Sequence, residues 1–180
     1  MLKNIDIWLE RLSSLYKSQM RLAVSAEGFQ LVNLEIMQYL SMCNVYSNTA
    51  QALSEYLGQT KGSISQSLKI MENSGHIARK VCEKDKRMMR IFLTEKGRLS
   101  LARMTKNLVT MPTEDPKISD GIQSLLKVWQ AQHNHKGFGQ CQSCRYHLAK
   151  DNAQFKCGLT DELLPVQEGL KLCREHDFNA

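Results

Sequence analysis

Residues 49–97 read TAQALSEYLGQTKGSISQSLKIMENSGHIARKVCEKDKRMMRIFLTEKG. Ser47, Asn48 and Thr49 offer hydroxyl or amide oxygens that can cap the free N–H groups of a helix start, and AQALSEYLG then reads as a short helix stopped at Gly58. Gln59 and Thr60 make a brief connection. In KGSISQSLKIMENSG the apolar residues Ile64, Leu68 and Met71 fall on one face of a second helix, which Gly75 closes. The texture then changes. His76–Val81 and Met88–Leu93 are short β-like runs separated by the charged stretch CEKDKR, which predicts a hairpin with a basic, exposed tip.

Outside this stretch the pattern is helical. Ile5, Trp8, Leu9, Leu12, Leu15 and Leu22 set a helical period from Ile5 to about Val24. Leu31, Leu34, Met37 and Leu40 do the same over about Leu31 to Met42. A helix opens at Thr94-Glu95-Lys96-Gly97 and runs to about Met111, and the Pro112–Pro116 stretch breaks the chain. Ile118, Ile122, Leu125, Leu126 and Trp129 then mark a helix to about His135, and Gly137-Phe138-Gly139 ends it. There is no internal repeat.

A short helix, a tight turn, a second helix and a charged hairpin follow the order of a winged helix-turn-helix. At the level of residues the stretch resembles the MarR family of bacterial transcription regulators. The resemblance rests on the small polar start Thr60–Ser65, on Gly75 before the wing, on Asp85 with Arg87 at its tip, and on Leu93-Thr94 with Gly97 after it. It is close over roughly residues 30–110 and looser in the flanking helices. The expected fold is mainly α with a small β-hairpin wing. Four parts are expected: an N-terminal dimerisation helix (1–30), the winged helix-turn-helix (31–110), a C-terminal dimerisation helix (111–136) and a small Cys-rich module (137–180). The resemblance implies a homodimer with interlocked terminal helices, in which Trp8 and Trp129 are candidates for the shared core. It also implies a small-molecule effector between the dimer helices and the DNA-binding part. A two-fold dimer implies a pseudo-palindromic site in double-stranded DNA.

A helix that reads the major groove needs small or flexible polar residues near its N-terminus. Thr60, Lys61, Ser63, Gln66 and Ser67 supply them, Ser65 is a further candidate that could instead back-bond to the helix, and Gly62 removes bulk where helix would meet duplex. Gln66 can read adenine through two hydrogen bonds, whereas Lys61 and Lys69 suit phosphates. On the wing, Lys84, Lys86, Arg87 and Arg90 are the candidate DNA contacts. The resemblance makes Arg87 the arginine that reaches the minor groove, and Asp85 the residue that orients it.

The charge is placed as this reading requires. The chain of 180 residues carries a formal net charge of +6 with a sequence pI of about 9.0. Residues 41–110 hold twelve Lys/Arg against five Asp/Glu, a net of +7, and the remainder is neutral or slightly acidic. A local positive block suits a phosphate-facing surface. No apolar run approaches a bilayer span or a secretory signal, so no membrane association is expected and the cytoplasm is the expected compartment.

Six cysteines in a cytoplasmic chain point to metal or redox chemistry before disulfides. Four lie in the tail as Cys141-x2-Cys144-x12-Cys157-x15-Cys173. A Cys-x2-Cys pair presents two thiolates from one turn, and two later cysteines complete four-coordination. Zinc is the expected metal, and an iron–sulfur cluster is the alternative, because the second half lacks a matching Cys-x2-Cys. His147 and His176 stand three residues past Cys144 and Cys173 as substitute ligands; His133 and His135 are more distant reserves. Cys43 and Cys82 read as small buried hydrophobes. A thiol oxidoreductase cycling the Cys-x2-Cys pair is the rival of a different class. No βαβ context surrounds that pair, and no catalytic triad, phosphate loop or carboxylate pair occurs elsewhere, so a non-enzyme is expected.

Overall fold

The computed structural model describes residues 4–83, 85–106, 108, 115–132 and 137–178. Helix α2 (Leu31–Met42) is the hub, with Leu34, Ile36, Met37 and Tyr39 fully buried. Around it pack α1 (Asn4–Ser25), α3 (Ala50–Leu57), α4 (Lys61–Asn73), the strands β1 (Ile77–Val81) and β2 (Met89–Leu93), and α5 (Glu95–Lys106). Helix α3 starts where Thr49 Oγ1 accepts the Ala52 N–H at 3.2 Å, and it stops at Gly58, whose φ of 63° is a left-handed turn. Helix α4 starts where Thr60 Oγ1 accepts the Ser63 N–H at 3.2 Å. Its Ile64, Leu68 and Met71 are buried as their spacing predicts, each contributing roughly 2 kcal/mol by leaving water.

Strands β1 and β2 form an antiparallel hairpin with Arg79 opposite Ile91 and Ile77 opposite Leu93. Ile77 and Ile91 point into the core. The hairpin is fastened to α5 at one point. Thr94 Oγ1 donates to the Gly75 carbonyl at 2.6 Å and accepts the Gly97 N–H at 3.1 Å. Gly97 lies so close to β1 that a Cβ there would stand 2.1 Å from the His76 carbonyl oxygen. The Leu-Thr-x-x-Gly run is therefore a joint in which a cap and a missing side chain let helix meet strand.

The terminal helices are different. Helix α1 buries only Met20 and Val24, and α6 (Pro116–Gln132) buries nothing. Trp8 is 69% exposed and Trp129 46%, alongside exposed Leu12, Leu22, Ile122 and Leu126. These apolar stripes are not spent on the chain's own core. No helix among the described residues is long and apolar enough to cross a membrane.

The tail folds into short strands. β3 (Gly139–Gln140) pairs antiparallel with β7 (Leu172–Cys173), and β4 (His147–Ala149), β5 (Gln154–Cys157) and β6 (Glu162–Pro165) form an antiparallel meander. Cys141, Phe155 and Leu164 make a second small core. The tail is docked rather than tethered. Phe138 is buried in the main core, edge-on to Tyr56 at 5.2 Å and to Tyr39 at 6.3 Å. The backbone of Asn44 donates to the Leu172 carbonyl at 2.9 Å. Separate modules in sequence thus share one packed body.

Candidate nucleic-acid interface and cysteine cluster

Helix α4 divides cleanly into two faces. Lys61, Ser63, Ser65, Gln66 and Lys69 are exposed, as are Thr60 at the cap and Gly62, while Ile64, Leu68 and Met71 face inward. The hydrophobic seam thus holds the helix without using any side chain proposed to touch DNA. At the wing tip Lys86 is exposed and Arg87 extends with 92% of its side chain accessible. Asp85 holds that arginine: Oδ1 accepts Arg87 Nε at 3.1 Å and the Arg87 N–H at 3.0 Å, and Oδ2 accepts Nη2 at 3.4 Å. These bonds from Arg87 keep the Asp85 carboxyl below its ordinary range. Lys84 lies outside the described residues.

Arg90 points elsewhere. Its Nη1 donates to the Tyr46 carbonyl at 2.7 Å and to Asn48 Oδ1 at 3.4 Å, so its guanidinium binds β2 to the α2–α3 connector. An arginine three residues past a wing tip looks alike in sequence whether it faces phosphate or a carbonyl.

The four tail cysteines come together. Cys141, Cys144, Cys157 and Cys173 all line one cavity of about 50 Å3, with His147, Phe155 and Leu164 among its other walls. None of the six cysteines is in a disulfide. As the side chains stand, no group of three or more His, Cys, Asp or Glu among the described residues is gathered closely enough to hold an ion. Neighbouring Cys141, together with Asn44 and Ser47, holds the Cys173 thiol below its usual range against the opposing effect of burial. Cys141 moves upward because its proton serves Cys173 and because it is buried. Asn44 Nδ2 also donates to Cys141 Sγ at 3.4 Å, and the Asp177 N–H donates to Cys144 Sγ at 3.4 Å.

The two tail histidines separate. His147 stacks on Phe155 with ring centroids 4.2 Å apart and lines the cysteine cavity. His176 is pinned away from it: Ser143 Oγ meets its Nε2 at 3.0 Å, and a Cβ on Gly139 would stand 2.8 Å from its ring. His133 and His135 lie outside the described residues. Cys43, at the end of α2, is buried, and burial pushes its thiol up to about 12.

Residues 32–111 match the family model described as a winged helix DNA-binding domain. The fold is a winged helix. Among solved structures, a MarR-family transcriptional regulator from Silicibacter pomeroyi is similar at a TM-score of 0.58 and 17% identity, over 69% of this chain and 89% of that one. CouR from Rhodococcus jostii RHA1, bound to p-coumaroyl-CoA, gives 0.56 and 17%, over 70% of this chain and 92% of that one. A MarR transcriptional regulator from Methanosarcina mazei Go1 gives 0.53 and 21%, over 72% of this chain and 96% of that one. No curated protein matches the chain in sequence. The family model matched over residues 32–111 is that of a DNA-binding domain and describes no catalytic activity.

The connector between α2 and α3 was the part hidden from sequence. Asn44, Ser47 and Asn48 are each 5% exposed or less, and all three are hydrogen-bonded. They sit where a polar loop is expected on the surface. The signal lay in composition alone: two asparagines and a serine within five residues, partners for groups far away in the chain. Arg174 is the other residue missed. Directly after Cys173, it grips Glu55 of α3 with Nε–Oε2 at 2.5 Å and Nη2–Oε1 at 2.8 Å.

Proposed function

We propose that the protein is a MarR-like transcriptional regulator that binds a pseudo-palindromic duplex site as a homodimer and carries a four-cysteine metal site in its C-terminal module. The observation that carries the DNA reading is the division of α4, whose polar residues are exposed beside a wing that offers a braced Arg87. Thr60, Lys61, Ser63, Ser65, Gln66 and Lys69 enter the major groove, and Lys84, Lys86 and Arg87 engage the adjoining backbone and minor groove. Arg90 is assigned to holding the wing rather than to DNA. The stripes on α1 and α6, Trp8 and Trp129 included, form the dimer contact. The cytoplasm is the proposed compartment. A cavity of about 410 Å3, walled by Tyr16, Met20, Tyr39, Tyr56 and Leu101, is the proposed effector site; CouR, similar in fold, is bound to p-coumaroyl-CoA in its own structure.

Cys141, Cys144, Cys157 and Cys173 are the proposed metal ligands. What supports this is that four cysteines line one small cavity otherwise walled largely by apolar and aromatic groups, with hydrogen bonds already directed at Cys141 and Cys144; side-chain rotation would be needed to gather the four sulfurs around one ion. Zinc is the proposed occupant and would add stability to a tail whose own small hydrophobic cluster is formed by Cys141, Phe155 and Leu164. An iron–sulfur cluster on the same thiolates would instead supply redox chemistry.

Two measurements test this. Duplexes enriched from a random pool by the full chain should converge on a two-fold sequence, with affinity falling steeply as salt rises. No enrichment, or affinity indifferent to salt, sinks the DNA reading. Metal analysis and an absorption spectrum on protein prepared without oxygen should show one zinc per chain and no colour; brown protein with iron would establish the cluster. Thiols that titrate fully with no metal bound would refute both.

A further inference from the structure

We infer that the cysteine site sets the state of the DNA-binding wing through residues 43–48, the α2–α3 connector. The inference rests on the proposed metal site and adds what that site regulates.

The connector is fastened at both ends of this path. Toward the sulfurs, Asn44 donates to Cys141 at 3.4 Å, and the Asn44 N–H donates to the carbonyl of Leu172, the residue before Cys173, at 2.9 Å. Ser47 Oγ also accepts the Arg174 N–H at 2.9 Å. Toward the wing, the Asn48 carbonyl accepts the Ile91 N–H at 2.9 Å, and the Tyr46 carbonyl accepts Arg90 at 2.7 Å. Both wing bonds are made by β2. Buried Tyr39 OH, donating to the Ser47 carbonyl at 2.8 Å, holds the middle of the connector to α2.

A buried polar segment of this kind is stable only when its partners on both sides are in place. A metal-bound thiolate is a stronger acceptor than a protonated thiol, so loading tightens the bond from Asn44 to Cys141. The connector then presents the Tyr46 and Asn48 carbonyls at fixed positions to Arg90 and Ile91. Arg174 carries the same constraint to α3 through Glu55. Removing the metal slackens the connector and releases β2, and with it the placement of Arg87. The winged helix is thereby competent for DNA when the cysteine site is loaded.

Amide hydrogen exchange on the full chain, loaded with one zinc or stripped by chelator, tests this. Zinc should slow exchange in residues 43–48 and 89–93 by about tenfold in the parent. Asn44→Ala cuts the sulfur end and Arg90→Met the wing end. Both should still bind one zinc, with Asn44→Ala weaker by about tenfold, and in both the slowing at 89–93 should largely vanish. Arg90→Met decides the matter if Asn44→Ala does not fold. Zinc bound in the parent without any change at 89–93 overturns the inference and leaves the metal site standing, as does a full response in both variants. A parent that holds neither zinc nor iron overturns the metal site itself, and the inference with it.

Discussion

Three helix glycines should respond to the same substitution with opposite signs, and the structure fixes which is which. At Gly97 a Cβ would stand 2.1 Å from the His76 carbonyl oxygen and 3.3 Å from the Leu93 side chain. The obstacle is backbone, so no rotamer change relieves it. Helix α5 would have to retreat by on the order of 1 Å, overpacking of a kind that costs roughly 1–3 kcal/mol. The same carbonyl accepts the Thr94 N–H at 3.1 Å, and distorting that bond adds about 1 kcal/mol. Alanine's better helix propensity returns about 1 kcal/mol. The net expectation for Gly97→Ala is a loss of about 2 kcal/mol. Gly62 and Gly121 are helical with no atom within 4 Å of a built Cβ, so Gly62→Ala and Gly121→Ala should gain about 0.5–1 kcal/mol.

Urea denaturation of the full chain at matched concentrations reads this as a shift in midpoint at constant slope. Gly62 adds a second axis, because its empty face lies among the proposed groove contacts. Gly62→Ala should therefore be more stable and yet bind its selected duplex more weakly. A Gly97→Ala midpoint at or above the parent would refute the joint described between α5 and β1. A destabilised Gly62→Ala would refute the open face of α4.

Further expectations follow from single contacts. His76 is buried, and that burial, with Lys96 and Arg103 nearby, holds its imidazole below 6.5; its neutral form is favoured by folding, so stability is complete above pH 6.5 and declines as pH falls through the lowered value, and His76→Gln should flatten that slope in pH-stepped urea melts. Arg87→Ala should reduce the salt slope of duplex binding by about 1. Asp85→Asn should raise affinity for random duplex, by removing a negative charge, while narrowing the margin for the selected site, as read by anisotropy against both duplexes. Phe138→Ala should cost about 3 kcal/mol and lower one cooperative transition; a wild-type tail that melts separately would contradict the shared core.

What was legible in the sequence, and what was not, divides by the range of the interactions. The six helices show in the chain because Ile64, Leu68 and Met71, or Leu34 and Met37, repeat at the period of the helix they bury, and the wing shows because two β-rich runs flank a charged tip. The cysteine spacing likewise announces thiols that gather, and all four do line one cavity. The tail's strands were silent, because segments of two to four residues are too short to display a period. Phe138 between two glycines reads as a helix stop, and its place against Tyr39 and Tyr56 depends on partners some 80 to 100 residues away. Arg90 shows the cost of reading charge without partners: beside Lys86 and Arg87 it looks like one more phosphate contact, yet its bond goes to Tyr46, 44 residues back in the chain. The connector carries the same lesson in reverse. A short polar loop ahead of a helix normally satisfies itself with caps, turns and water, as Thr49 does at the helix start and Asn44 Oδ1 does by accepting the Tyr46 N–H. Asn44, Ser47 and Asn48 also reach Cys141, Arg174, Arg90 and Ile91, all distant in the chain. Those bonds join the tail cysteines to the wing, so the two features that stood apart in the sequence meet in a stretch that reads, in sequence, only as the cap of a helix.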